Sequence, residues 1–417
     1  MSIQTHKPLV GIRILDFTTA VAGPIATMIL ADMGAEVIKI EAPNSRHVAR
    51  GGDRPPVEGA PDHPWNRMAT FNELNRSKRS LVLDVARPEG RRLFLRLAAK
   101  CDIMFENFSP RVLTNLGIDY PDLVKERSDI ILVSMPAFGK SGPYRERISY
   151  GPGVDAMSGL SHLTGYPDRG PSKPGFAYCD QNAGLMAAYV ALAALRLRRR
   201  TGEGQQIEVA MIEGEMQLVG EALIDYAMNG RVQSRIGNRH PTMTPHGVYP
   251  CSGDDCWVAI ACRNDRDFAA MCMAMGQPHL AADARFANLV TRKQNEDALD
   301  EIITDWTRTL DHYCVQQQLQ AVGVPAGAAL DVVELFEDPH MRARGLFEMT
   351  SHPEMGPSAH NRVAWKLSRT PAPVTVPAPL FGQDNDFVLR ELLGLSTDEI
   401  AGIRTMGIVA EAPTGRH

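Results

Sequence analysis

The sequence predicts an α/β protein whose first 150 residues build a doubly wound domain. Three observations carry that expectation. "IRILDF" (12–17), "GPIATMILADMGA" (23–35) and "EVIKIE" (36–41) read as strand, helix and strand. Such a unit requires parallel pairing and a right-handed crossover. "SLVLDV" (80–85), "PEGRRLFLRLAAK" (88–100), "DIMFEN" (102–107) and "DIILVSM" (129–135) continue the alternation. The chain has 417 residues, long for one domain, so two or three structural units are expected.

The elements follow in order. Pro24 suits a first helical position and Gly34 a helix stop. "NSRHVARGGDRPPVEGAPDHPWNRM" (44–68) is rich in Gly, Pro and charge and reads as a long surface loop. Past Asp180 come two helical patterns, roughly 183–199 and 211–228, separated by "RTGEGQQIEV" (200–209). Residues 237–265 change from loop to a strand pair turning at "SGDD". Helical patterns fill 266–320, and "VGVPAGAALDVVEL" (322–335) with the Pro-rich tail suggests a return to α/β packing. No internal repeat and no low-complexity segment is present.

Composition narrows the function classes. Hydrophobic residues make up 44% and charged residues 22%, the balance of a soluble globular protein with a large core. The net charge is −5, which argues against a basic nucleic-acid-binding face. No run reaches the roughly 18 apolar residues of a bilayer span. "MSIQTHKPLVG" lacks the apolar stretch of a signal peptide. Seven scattered cysteines, an odd number, favour reduced thiols and a cytoplasmic address over a disulfide framework. Cys251, Cys256 and Cys262 have no His at zinc-finger spacing, so no metal site is expected.

A first strand–helix–strand unit invites a dinucleotide cofactor, but its Gly-rich fingerprint is missing. The connection reads "DFTTAVAGP", with Gly23 as its one glycine. Glu41 ends the second strand where a ribose-binding acid would stand. Neither a P-loop nor a serine-hydrolase elbow occurs. Asp180 stands at the mouth of the apolar run in "GFAYCDQNAGLMAAYVALAALRLRRRTGEG" (175–204). It is either a helix N-cap or a reactive carboxylate held at a helix start, where the dipole favours an anion.

"GIRILDFTTAVAGPIATMILADMGAEVIKIEAP", "NRSKRSLVLDV", "PEGRRLFLRLAAKCDIMFENFSP" and "AFGKSGPY", in this order, resemble the family III CoA-transferases. That family also holds α-methylacyl-CoA racemase, and the resemblance runs from about residue 8 to about 395. It implies a Rossmann-like parallel-sheet large domain plus a smaller α+β domain, in an interlocked, ring-like homodimer. The large domain would take residues 1–200, completed by 330–417, and the small domain 226–325, with linkers at 201–225 and 326–345. No permanently bound cofactor is implied. Coenzyme A thioesters and carboxylic acids would be substrates, with neither nucleic acid nor membrane as partner.

"CDQNAG" matches the family's nucleophile setting, so the resemblance gives Asp180 that role. A carboxylate nucleophile suits CoA transfer because its anhydride and thioester intermediates lie close in energy to substrate and product. CoA contacts are implied for Ala20, Val21 and Ala22 in the first turn, for Leu83, and for Asn107 and Phe108 in "ENF". In "NFSPRVLTN" Arg111 stands where the family has a glycine, and Asn115 where it has a phosphate-holding Arg; Arg111 is then either the substitute that holds the CoA phosphate or a solvated surface residue. The segment "RHPTMTPHGVYPC" places His246, with His240, near the acyl site. The racemase branch needs His and Asp where this chain has Tyr150 and Gly151. A tyrosine hydroxyl, ordinarily near pKa ~10, is a poor general base at neutral pH, so Tyr150 would instead line the site and donate a hydrogen bond, or pack in the core. A transferase is therefore expected; the alternatives are a racemase and an inactive CoA-binding relative.

Overall fold

The computed structural model describes residues 7–44, 50 and 56–414. The chain divides into two compact units. One comprises the residues up to Ser161, Lys173–Val232 and the residues from Ala343 onward; the other comprises His162–Ser172 and Gln233–Arg342.

The first unit is built on six strands: β1 (Arg13–Phe17), β2 (Glu36–Glu41), β3 (Lys78–Val82), β4 (Ile103–Glu106), β5 (Ile131–Ser134) and β6 (Gln206–Glu208). All pair in parallel, in the order 3-2-1-4-5-6. Adjacent residues on each central strand are apolar, because both faces are covered. Ile14, Val37, Ile103 and Ile131 point to one face, which the first helix (Ala22–Asp32) and a long helix (Tyr178–Thr201) cover. Leu15, Ile38, Met104 and Leu132 point to the other, under the Pro88–Ala98 helix and the C-terminal helices at 387–392 and 397–405. This is the Rossmann-like parallel sheet expected for the large domain.

The long helix packs on the first helix through small residues. Cys179, Ala183, Ala187, Ala191 and Ala194 form a buried stripe along it. A Cβ built on Gly184 falls 2.7 Å from Ile25 Cγ2 and 2.9 Å from the Ala22 carbonyl oxygen, so only glycine permits this approach.

The second unit holds β7 (His246–Pro250), β8 (Trp257–Ala261) and β9 (Ala326–Ala329), antiparallel in that order. The turn at "SGDD" joins β7 and β8 as expected. Their inner faces and the helices between 265 and 321 close a core around Val258, Ile260, Phe268, Leu299 and Leu319. A further antiparallel pair, β10 (Phe347–His352) and β11 (Gly356–Asn361), belongs to the first unit.

Several boundaries differ from the sequence reading. β3 begins at Lys78 rather than Ser80, because the Lys78 and Ser80 side chains have buried partners that repay their polarity. The long helix begins at Tyr178, five residues before 183, because Cys179 extends the buried stripe upstream. Residues 200–209 carry β6, a short, polar edge strand with no apolar alternation to announce it. The 211–228 pattern is interrupted by a tight turn at Gln217–Val219 and ends at Asn229. β9 occupies the start of the segment read as the 326–345 linker. Within the 44–68 loop, residues 45–49 and 51–55 lie outside the described residues. Among the described residues no helix is long and apolar enough to cross a membrane.

Candidate active site

The strand order reverses between β1 and β4, and ligands of such sheets bind outside the C-terminal strand ends at that switch. Here the turn after β1 and the residue after β4 are tied together. Asn107 Oδ1 accepts the Thr19 N–H at 2.8 Å, and Asn107 Nδ2 donates to the Thr19 carbonyl, also at 2.8 Å. The turn itself is tight. Ala20 takes φ +58, a left-handed conformation uncommon outside glycine. A Cβ on Gly23 would fall 2.3 Å from Thr18 Cβ, which accounts for the one glycine in "DFTTAVAGP".

A buried charge network fixes this turn from below. Asp16, at the end of β1, is fully buried. Its carboxylate accepts from the Thr18 N–H and from Lys78 Nζ at 3.1 and 2.9 Å, and from Thr27 Oγ1 at 2.7 Å. Burial works against the charged form, but Lys39, Lys78 and the two threonine hydroxyls hold this carboxyl well below the usual range. Lys39 Nζ also donates to the Thr18 carbonyl at 3.1 Å. Glu41 has no freedom to receive a ribose: Arg50 grips both its oxygens, at 2.5 and 2.9 Å.

Asp180 stands against this turn. It is the third residue of the long helix, not its cap; Ala177 holds the cap position and supplies no side-chain bond. The plain N-cap reading is therefore replaced. The Asp180 carboxylate instead accepts the backbone N–H of Ala22, the first residue of the first helix. Two helix starts thus converge on one carboxylate, each favouring negative charge. Burial, opposed by the Ala22 N–H and assisted by the charge on Asp155, pushes the Asp180 carboxyl up to about 6. Gly151 makes the room: a Cβ there would lie 2.2 Å from Asp180 Oδ2 and 2.4 Å from Ala177 Cβ. The same geometry leaves no room for the aspartate that the racemase pattern would place at 151.

Behind Asp180 lies a group that the sequence reading missed. Asp155, Cys179 and Glu215 are all buried, and their carboxylate and sulfur atoms lie within 4.8 Å of one another. Asp155 Oδ1 accepts the Cys179 N–H at 3.3 Å, and Cys179 Sγ donates to the Gly151 carbonyl at 3.4 Å. The available signal was helical spacing. Glu215 falls in register with Met211 and Val219 on the buried face of its segment, and Asp155 follows buried Val154.

The other expected residues are distributed differently. Ala20, Val21, Ala22 and Asn107 gather at the switch with Asp180. Phe108 packs against Phe17 with ring centroids 5.1 Å apart and is half-buried beside the site. Leu83 is enclosed in the core on the sheet's other face and offers no side-chain surface. Arg111 opens a short helix and faces Glu146 at 3.6 Å, half-exposed. Tyr150 caps the Gly151–Met157 helix by position, with its ring exposed. His246 belongs to the second unit, where it lines a cavity of about 720 Å³ with Asn238, Arg239 and Pro325. Its Nδ1 shares a hydrogen bond with the Asn238 carbonyl at 2.7 Å, and the His240 ring lies 5.1 Å away.

A doubly wound sheet whose switch point holds an ionisable carboxylate between two helix starts has the makings of an acyl-transfer centre. The chain belongs to CoA-transferase family III, whose model matches residues 9–385. It is 34% identical over 414 residues to the succinyl-CoA–D-citramalate CoA-transferase of Chloroflexus aurantiacus, covering 98% of this chain and all of that one. It is 30% identical over 414 residues to the mouse succinyl-CoA:glutarate CoA-transferase, covering 99% of this chain and 92% of that one. Among solved structures it resembles a CaiB/BaiF family protein from Brucella suis, with a TM-score of 0.83 and 31% identity over 93% of this chain and all of that one.

Proposed function

We propose that the protein moves CoA from succinyl-CoA to a dicarboxylic acid, with Asp180 as the covalent nucleophile. The observation that carries this reading is the Asp180 carboxylate, bonded by the Ala22 N–H and given space by Gly151. The substrate class rests on relatives named for succinyl-CoA as donor and for citramalate or glutarate as partner acid.

With its carboxyl near 6, Asp180 is about ten to one ionised at neutral pH. An Asp180 oxygen attacks the thioester carbonyl carbon, the C–S bond breaks, and CoA leaves as thiolate. The product is a mixed anhydride. The thiolate then attacks the Asp180 carbonyl, releasing the donor acid and leaving an aspartyl-CoA thioester. The acceptor carboxylate reverses both steps. In the steps that attack the Asp180 carbonyl, the Ala22 N–H donates to the developing oxyanion. The turn Ala20–Ala22, Phe108 and Arg111 are assigned to CoA, with Asn107 holding the turn in shape. Arg111 reaches phosphate by releasing Glu146, an exposed pair worth at most about 1 kcal/mol.

The reaction requires no resident cofactor and suits the cytoplasm. A homodimer is part of the proposal: Leu185, Tyr189, Ile224, Tyr226, Met228 and Val232 are large apolar side chains left exposed on the first unit. The test is mass spectrometry of the full chain after incubation with succinyl-CoA and no acceptor. A CoA or succinyl adduct on the Asp180 peptide is expected, lost in Asp180→Asn. Deuterium entering the α-carbon of a 2-methylacyl-CoA, dependent on Asp180, would replace the transferase reading by racemisation.

A further inference from the structure

Two buried carboxyl groups take no part in that chemistry. Asp155 lies on the Gly151–Met157 helix and Glu215 on the Met211–Met216 helix, both without solvent exposure. Asp155 Oδ2 and both Glu215 oxygens make no hydrogen bond of good geometry among the described residues, and the one hydroxyl facing Glu215, that of Ser158, donates to the Asp155 carbonyl at 3.1 Å. Ionised carboxylates only accept, so two of them buried face to face leave these oxygens short of donors. One proton between them supplies the missing donor and removes one of the two charges. We propose that Asp155 and Glu215 share a single proton in a carboxylic acid–carboxylate hydrogen bond, and that this pair positions Asp180 through the Cys179 N–H.

The link is short. Asp155 Oδ1 accepts the Cys179 N–H at 3.3 Å, and Cys179 is the residue before Asp180. Cys179 Sγ lies 3.8 Å from Asp180 Oδ2. The groups facing Glu215 are Asp155 and Ser158 from one helix and Cys179 and Asp180 from another. Burial first, then the neighbouring Asp155, pushes the Glu215 carboxyl up to about 8. The same surroundings push the Cys179 thiol far up, so it stays a thiol rather than a metal-binding thiolate. Above about pH 8 the pair loses its proton, and a second buried charge forms beside the Asp180 turn. Asp155 and Glu215 are positioning residues in this account, which rests on the transferase reading only for the role of Asp180.

The full-length protein, Glu215→Gln and Asp155→Asn are compared by thermal melting from pH 4 to 9. In the wild type the unfolded chain releases the Glu215 proton near the ordinary value, whereas the folded chain keeps it to about pH 8. The wild type should therefore lose stability relative to Glu215→Gln between about pH 5 and 8, and no further above that. Infrared difference spectra at pH 7, wild type minus Glu215→Gln, should show a carboxylic-acid carbonyl band sensitive to deuteration. The amide of Glu215→Gln donates where the proton did, so transfer at pH 7 should stay within about threefold while the alkaline decline near pH 8 disappears. Parallel melting curves for wild type and Glu215→Gln, or no acid band in that difference spectrum, would overturn the proposal. So would a stoichiometric divalent metal that is lost in Glu215→Gln. If no variant transfers CoA but the melting and infrared signatures hold, the transferase reading fails and the shared proton stands.

Discussion

Gly151→Ala adds one methyl group at the most constrained point beside Asp180. The new Cβ would sit 2.2 Å from Asp180 Oδ2 and 2.4 Å from Ala177 Cβ. Both separations are at least about 1 Å short of van der Waals contact. Ala177 cannot yield without moving the start of the long helix, because its Cβ is fixed to the backbone. The Asp180 carboxylate must therefore shift by about 1 Å or rotate away from the Ala22 N–H. A displacement of that size costs on the order of 100-fold in rate. That is roughly 2.7 kcal/mol of transition-state stabilisation. Overpacking should also lower stability by about 1–3 kcal/mol. The assay is kcat/KM for CoA transfer per folded protein, beside thermal melting. Gly204→Ala is the control: its Cβ meets the Ile130 carbonyl oxygen at 2.2 Å, beyond the far end of the 24-residue helix. That end lies about 30 Å from Asp180 by helix rise. The control should lower the melting temperature and leave transfer intact. Near-wild-type transfer in Gly151→Ala would refute the view that Gly151 sets the Asp180 geometry.

Four further outcomes are expected. kcat/KM should fall on the acid side with an apparent pKa near 6, because only ionised Asp180 attacks. The Asp180 carboxyl is raised in the folded chain, so it favours the fold at low pH and loses that contribution as pH rises. Asp180→Asn should therefore match wild-type stability below about pH 4 and exceed it above about pH 6 in melting experiments. Asn107→Ala removes both bonds to Thr19 and should cost about 1–2 kcal/mol while raising KM for acyl-CoA more than it lowers kcat, measured by denaturant titration and steady-state kinetics. Lys78→Met leaves Asp16 buried beside a lost cation and should destabilise by about 3–5 kcal/mol in urea titration, with partial recovery in the Asp16→Asn double variant.

The sheet was legible in the sequence because its central strands are apolar on both faces and alternate with helices of ordinary length. Pro24 and Gly34 then marked the first helix near its two ends, although the helix begins at Ala22 and Pro24 is its third residue rather than its first. β6 was not legible: three polar residues at a sheet edge pair through backbone alone, which no side-chain pattern records. The site divides in the same way. Asp180 stood out because an acid at the edge of an apolar run needs a reason. Its partners did not, since the Ala22 N–H is backbone and the contribution of Gly151 is empty space. Asp155 and Glu215 read as ordinary acids among apolar neighbours until the fold brought two separate helices together. Leu83 shows the reverse limit: its place in a matched segment says nothing about which face of the sheet it joins.

The sheet unit is assembled from stretches far apart along the chain. Leu81, Leu93, Met104 and Leu132 are covered on their face partly by Val388, Leu389, Ile400 and Ile403. Asp384 and Asn385 accept the Ser80 and Val82 N–H groups at 2.9 Å each, at the β3 edge. During synthesis β6 precedes the helix at 387 by about 180 residues, which at ~5–20 residues per second leaves that apolar face and sheet edge open for roughly 10–40 s. A nascent chain in that condition is a natural client for chaperones, and a product truncated before residue 380 should be sticky and short-lived even with Asp180 and its turn already made.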